Sequence, residues 1–121
     1  MTASLLDVLS VLRNWKNDGK TLRMKLVQNG HMTLDGEVLI DDASNDKQAV
    51  FRFGFSALAS GIITIPLDSE FVLFDILTSD QPRPLDPLDP TYDKCVQFSW
   101  NLSNDRCTVC AARFTGRSYT I

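Results

Sequence analysis

Apolar residues recur at Leu5, Val8, Leu9, Leu12 and Trp15, the three-to-four spacing of one helical face, and predict a helix over about residues 3–17. Thr2 or Ser4 can cap its start, and Gly19 stands where a left-handed C-cap is wanted. At about 100° per residue, Leu6 and Val11 widen the apolar arc to roughly 220°, more than the stripe of a surface helix. Such a helix touches more than one surface: it plugs the open end of a barrel, or part of it meets a neighbouring subunit.

From Lys20 the period changes to two. Leu22, Met24 and Leu26 alternate with Thr21, Arg23 and Lys25, Asn29-Gly30 marks a tight turn, and Leu34, Gly36, Val38 and Ile40 alternate with Asp35 and Glu37. Setting Leu26 opposite Leu34 and Leu22 opposite Val38 builds one apolar face. The same register puts Lys25 opposite Asp35 and Arg23 opposite Glu37 on the other face. A slip of one residue sets Met24 against Asp35 and Leu22 against Glu37 and loses both. The favoured register implies a three-residue loop, Asn29-Gly30-His31.

After the polar loop Asp41 to Asp46, a strand runs through Val50 to Phe55 with Phe51, Phe53 and Phe55 on one face. Further strands are expected at Ile62 to Ile65 and Phe71 to Leu77. The stretch 80–93 holds four of the five prolines and reads as a stiff extended connector. A closing hairpin over 94–114 places Val96, Phe98, Trp100 and Leu102 in alternation; Trp100 is expected opposite Cys107, Phe98 opposite Val109 and Val96 opposite Ala111. The tail from Thr115 carries no pattern. The expected fold is mainly β: one domain over 1–121, a small strongly bent barrel (strands over about 20–78) with an N-terminal α-helix and an added C-terminal β-hairpin.

Composition changes this picture little, but the charge distribution adds to it. Residues 1–34 carry five bases against two acids, residues 35–93 three against twelve, and residues 94–121 four against one, so the net −3 conceals +3, −9 and +3. Such asymmetry suits an anionic partner on one face or association with a second copy, and it also occurs on inert surfaces. No apolar run approaches the roughly 20 residues of a membrane helix. Asp7, Arg13 and Lys16 leave no room for a secretory signal, so a cytoplasmic location is expected. A chain of this length buries enough surface to fold without disulfides or metal.

No catalytic constellation stands out. Cys107-Thr108-Val109-Cys110 is a CxxC, yet residues three apart on a strand face opposite ways and no second pair exists, so the three cysteines are read as small buried apolar residues. The acidic loop lacks the glycine and the twelfth-position glutamate of a calcium loop. Arg52-Phe53-Gly54-Phe55 is similar to part of an RNA-recognition signature, but alternating strand phenylalanines read better as core.

Leu22-x-Met24-x-Leu26, Asn29-Gly30, Gly36-x-Val38 and Asp42, following an N-terminal helix, resemble the opening half of the Sm-like family that includes bacterial Hfq and the LSm proteins. The resemblance spans Leu5 to about Phe51. It implies a bent barrel that assembles through its edge strands into rings and binds single-stranded RNA around the pore. Carried over by position, Asp42 with Asn45 or Asp46 are the loop candidates, and His31 would stack a base if its turn lines the pore. Arg13, Lys16 and Lys20 would meet phosphate. The family's Arg-Gly before the last strand is replaced here by Pro66-Leu67-Asp68-Ser69.

The expected function is therefore a non-enzymatic barrel that forms homo-oligomers, with RNA as a partner and no cofactor, metal or membrane. The alternatives are an assembly module without nucleic acid and a small-ligand barrel using acids such as Asp41 and Asp75.

Overall fold

A computed structural model describes residues 3–56, 59–78, 80 and 92–112. In order they form α1 (Leu5–Asp18), β1 (Leu22–Gln28), β2 (His31–Ile40), β3 (Gln48–Ser56), β4 (Ala59–Pro66), β5 (Val72–Thr78), β6 (Tyr92–Trp100) and β7 (Arg106–Ala112). The proline-rich connector lies outside the described residues except for Asp80 and the start of β6, and so does the tail.

All pairings are antiparallel, in the order β4-β3-β2-β1-β7-β6-β5. A flat sheet of this order would hold its outer strands about 29 Å apart, six spacings of roughly 4.8 Å. Only residues 67–71 join Pro66 to Val72, a reach of at most about 22 Å. The sheet must therefore curl, and it forms a half-barrel. The C-terminal hairpin is present, and β7 sits inside the sheet between β1 and β6.

Helix α1 fills the concave side. Ser4 caps it by accepting the Asp7 N–H at 3.2 Å, and Gly19 ends it at φ 64°. Val8, Leu9, Leu12 and Trp15 are buried with Leu22, Met24, Val38, Phe51, Val96, Phe98 and Val109 in one cluster. The buried face is narrower than the apolar arc implied: Leu6 is exposed and Val11 only partly covered. Ahead of the helix, Ala3 N–H donates to the Phe74 carbonyl of β5 at 2.6 Å.

The β1–β2 register pairs Leu22 with Val38, Arg23 with Glu37, Lys25 with Asp35 and Leu26 with Leu34, as expected. The turn differs. A bulge after Leu26 shifts the pairing to Val27 with Met32 and Gln28 with His31. This leaves a two-residue turn whose Asn29 and Gly30 both have positive φ, 53° and 78°. That conformation matches strand twist better than the three-residue loop, and His31 becomes the first residue of β2.

The ion pair also differs from its expected partners. Arg23 reaches diagonally to Asp35 with Nε–Oδ1 2.8 Å and Nη2–Oδ2 3.0 Å, a bidentate pair. The hydrogen bond from Arg23 holds the Asp35 carboxyl below its ordinary value against the opposing effect of desolvation. The pair's contribution is therefore present at neutral pH and is lost as pH falls through that lowered value. Both side chains are about a third or more exposed, so the contribution is small. Arg23→Glu is expected to cost from a few tenths to ~1 kcal/mol, with recovery on adding Asp35→Arg but not Glu37→Arg, measured by a double-mutant cycle in urea.

In the β6–β7 hairpin the register is displaced by two residues from expectation: Phe98 pairs with Cys107, Val96 with Val109 and Lys94 with Ala111. Two is an even step, so the apolar face is preserved. β6 ends at Trp100, two residues before the expected Leu102, and Asn101 ties the loop to the β4–β5 link through N–H to Phe71 O at 2.8 Å. The shift places Cys95 opposite Cys110, and these two form a disulfide. The reading of all three cysteines as apolar filler is thus corrected: Cys107 alone is a free, buried thiol. Burial pushes that thiol's pKa up to about 12.

Candidate functional site

The loop between β2 and β3 is built by its own polar side chains. Asp41 Oδ1 accepts the Ala43 N–H at 2.9 Å, and Asn45 Oδ1 accepts the N–H groups of Lys47 (2.8 Å) and Gln48 (3.2 Å). Ser44 Oγ accepts from Val50 N–H at 2.9 Å. Leu67 N–H donates to Lys47 O at 2.8 Å and ties the end of β4 to the same loop. A wall held by this many bonds keeps its shape, and α1 stands opposite it.

Between them lies an open cleft of about 460 Å³. Its floor is aliphatic: Leu9 and Leu12 from the helix, Ile40, Ala49 and Leu67 from the sheet side. Its rim carries Arg13, Lys16 and Asn17 on the helix, facing Asn45, Asp46 and Gln48. Lys16 Nζ crosses to Asp42 Oδ1 at 3.1 Å, an exposed pair joining helix to loop. Arg13 makes no ion pair among the described residues.

Of the residues singled out from sequence, Arg13, Lys16, Asn45 and Asp46 therefore line one cleft, and Asp42 touches it through Lys16. Lys20 lies apart, in a smaller cleft of about 230 Å³ on another flank of α1 with Asp18 and Lys94. His31 stands exposed at the far end of β2, a ten-residue strand up to about 30 Å long. Asn17, Gln48 and Leu67 were not singled out; they carry no motif, and only the folded arrangement brings them to the rim and floor.

The other candidate features resolve into structural roles. Asp41 pairs with Arg52 at 3.4 Å. Asp75 is buried on the outer face of β5, four strands from β2, opposite Gln97. Phe51 is fully buried, and the Phe53 ring lies over Gly61, where an added Cβ would meet Phe53 Cζ at 2.5 Å. Neither ring is presented for stacking a base. Asp46 is the one carboxylate among the described residues lining the larger cleft. Among the described residues no group of three or more His, Cys, Asp or Glu side chains could hold a metal ion, and no helix is long and apolar enough to cross a membrane.

A second surface is the outer edge of β4, which no described strand pairs. Ala59–Pro66 contains no charged residue, and Ile62 is 63% exposed. Ile62 lies in register with Arg52, which lies in register with the exposed Leu39, so the outward row from the edge sets a charge between two exposed apolar residues. No protein-family model, curated protein or solved structure matches the chain.

Proposed function

We propose that the protein is a non-enzymatic β-barrel module that associates with a second copy of itself through the β4 edge. The observation that carries this reading is the edge itself: an eight-residue strand without charge, whose outward backbone groups no described strand pairs, and an exposed isoleucine, where natural edge strands usually carry a charge or a cover. Pairing β4 with β4 about a two-fold axis satisfies both edges with identical surfaces. A ring would need the β5 edge as well, and there Ala3 already takes the Phe74 carbonyl. A two-fold dimer therefore fits better than the ring implied by the Sm-like resemblance.

Size exclusion coupled to light scattering is expected to give twice the 13.5 kDa chain mass, and Ile62→Lys with Thr64→Lys is expected to give the chain mass with unchanged circular dichroism. A monomeric wild type at about 100 µM, a concentration at which a dimer of micromolar Kd is almost fully formed, would refute the reading.

Single-stranded RNA, the other partner the resemblance implies, has less in its favour. The cleft that gathers the candidate residues has an aliphatic floor and balances its cations with Asp42 and Asp46, whereas RNA sites combine stacking rings with a basic track. The Cys95–Cys110 bond bears on location: disulfides persist in oxidising compartments and are rare in a reducing cytosol. We read the working environment as one that keeps this bond oxidised, in place of the cytoplasm.

A further inference from the structure

We infer that the cleft between α1 and the β2–β3 loop is a binding site for a small aliphatic carboxylate. Its volume of about 460 Å³ lies within the range of small-molecule sites. The described floor residues Leu9, Leu12, Ile40, Ala49 and Leu67 offer hydrocarbon and no ring, which fits an alkyl chain and gives a nucleobase nothing to stack on.

The rim is rich in donors. Arg13 and Lys16 are three residues apart on α1 and so project from neighbouring positions, with Cβ atoms about 5–6 Å apart. Arg13 has its whole guanidinium fork uncommitted among the described residues, and that fork matches a carboxylate in two parallel bonds. Lys16 is held only by an exposed pair to Asp42, weak enough to share with a ligand. Across the cleft, Asn45 has its Oδ1 committed to two backbone N–H groups, so what it offers a ligand is its NH₂. Three donors thus surround an aliphatic pocket, with Asp46 as the opposing charge.

The site meets β4 only past its end, at Leu67, and uses neither Ile62 nor Thr64, so the titration is run on both the wild type and the Ile62→Lys/Thr64→Lys variant, and failure of either proposal leaves the other standing. Octanoate is titrated into isotope-labelled protein and followed by two-dimensional NMR. Expected are saturable shifts at the amides of residues 9–17 and 44–49, with octanol binding about tenfold more weakly and octyltrimethylammonium not competing. Arg13→Glu, at an exposed position without an ion pair, should weaken octanoate about tenfold or more. Asp46→Asn should tighten it by about two- to fivefold. No shift at ~5 mM octanoate, equal affinity for octanol, or an Arg13→Glu variant that binds as well as the wild type would overturn the inference. So would saturable binding of oligo(U) or oligo(A) at these amides with no octanoate binding, which would assign the cleft to nucleic acid.

Discussion

Reducing the Cys95–Cys110 bond is expected to lower the unfolding free energy by up to about 3 kcal/mol, the entropic value for closing a loop of some 15 residues. For a chain of this size that corresponds to a fall in Tm of roughly 10 °C. The bond joins facing residues of β6 and β7, the second and third strands from the β5 edge, so its loss loosens the interior ladder next to that outer strand. The loop-closure figure is an upper value because any structure the reduced, unfolded chain retains around this hairpin already lowers the entropy that the bond removes. Cys110 is only partly buried and admits the reductant; Cys95 is fully covered.

A thiol count checks the bond independently. Cys107 is buried and its raised pKa keeps it protonated, so the native oxidised protein should give no fast reaction with a disulfide reagent. Denaturant without reductant should release one thiol, and denaturant after reduction three, all the cysteines of the chain. Three thiols without reductant, or an unfolding midpoint indifferent to dithiothreitol, would count against the bond.

Where the sequence was readable follows from which interactions are local. The Ser4 and Gly19 caps lie within a turn of the helix they delimit, and the β1–β2 register is decided by four facing pairs of obvious chemistry. The bulge after Leu26 was hidden because it changes no residue's face until the turn is reached. The β6–β7 register illustrates the opposite limit: alternation fixes only whether a displacement is odd or even, so registers two residues apart look alike. That single ambiguity concealed the disulfide. The sheet order was out of reach for another reason, since β1 meets β7 across about eighty residues of chain and no charge pattern marks the contact. For the cleft, the residue types Arg13, Lys16, Asn45 and Asp46 were visible as candidates. Their meeting was not, because it depends on α1 lying against the concave face, and the helix's apolar arc allowed more than one surface there.

The largest loss is expected from Phe98→Ala, about 3–5 kcal/mol, a large part of the 5–15 kcal/mol typical of a domain. Phe98 is fully buried at the middle of β6, in register with Phe74 on one side and Cys107 on the other. Its ring meets Phe74 edge-on, with centroids 6.0 Å apart and planes at 86°, an arrangement worth about 0.5–1.5 kcal/mol beyond the area it covers. Among the described strands β5 pairs only with β6, so the cavity left by alanine weakens the ladder that holds the sheet's outer strand. Leu102→Ala, at a turn residue 80% exposed, should change stability by no more than about 0.5 kcal/mol and serves as the control. The comparison, made by urea unfolding, also tests the facing of β6. Phe98 points into the core with α1, while its neighbour Gln97 points outward and donates to Thr108 Oγ1 at 3.3 Å. A Phe98→Ala cost below about 1 kcal/mol would mean that the strand presents its other face to the core, and the pairing of Cys95 with Cys110 on the outer face would fall with it.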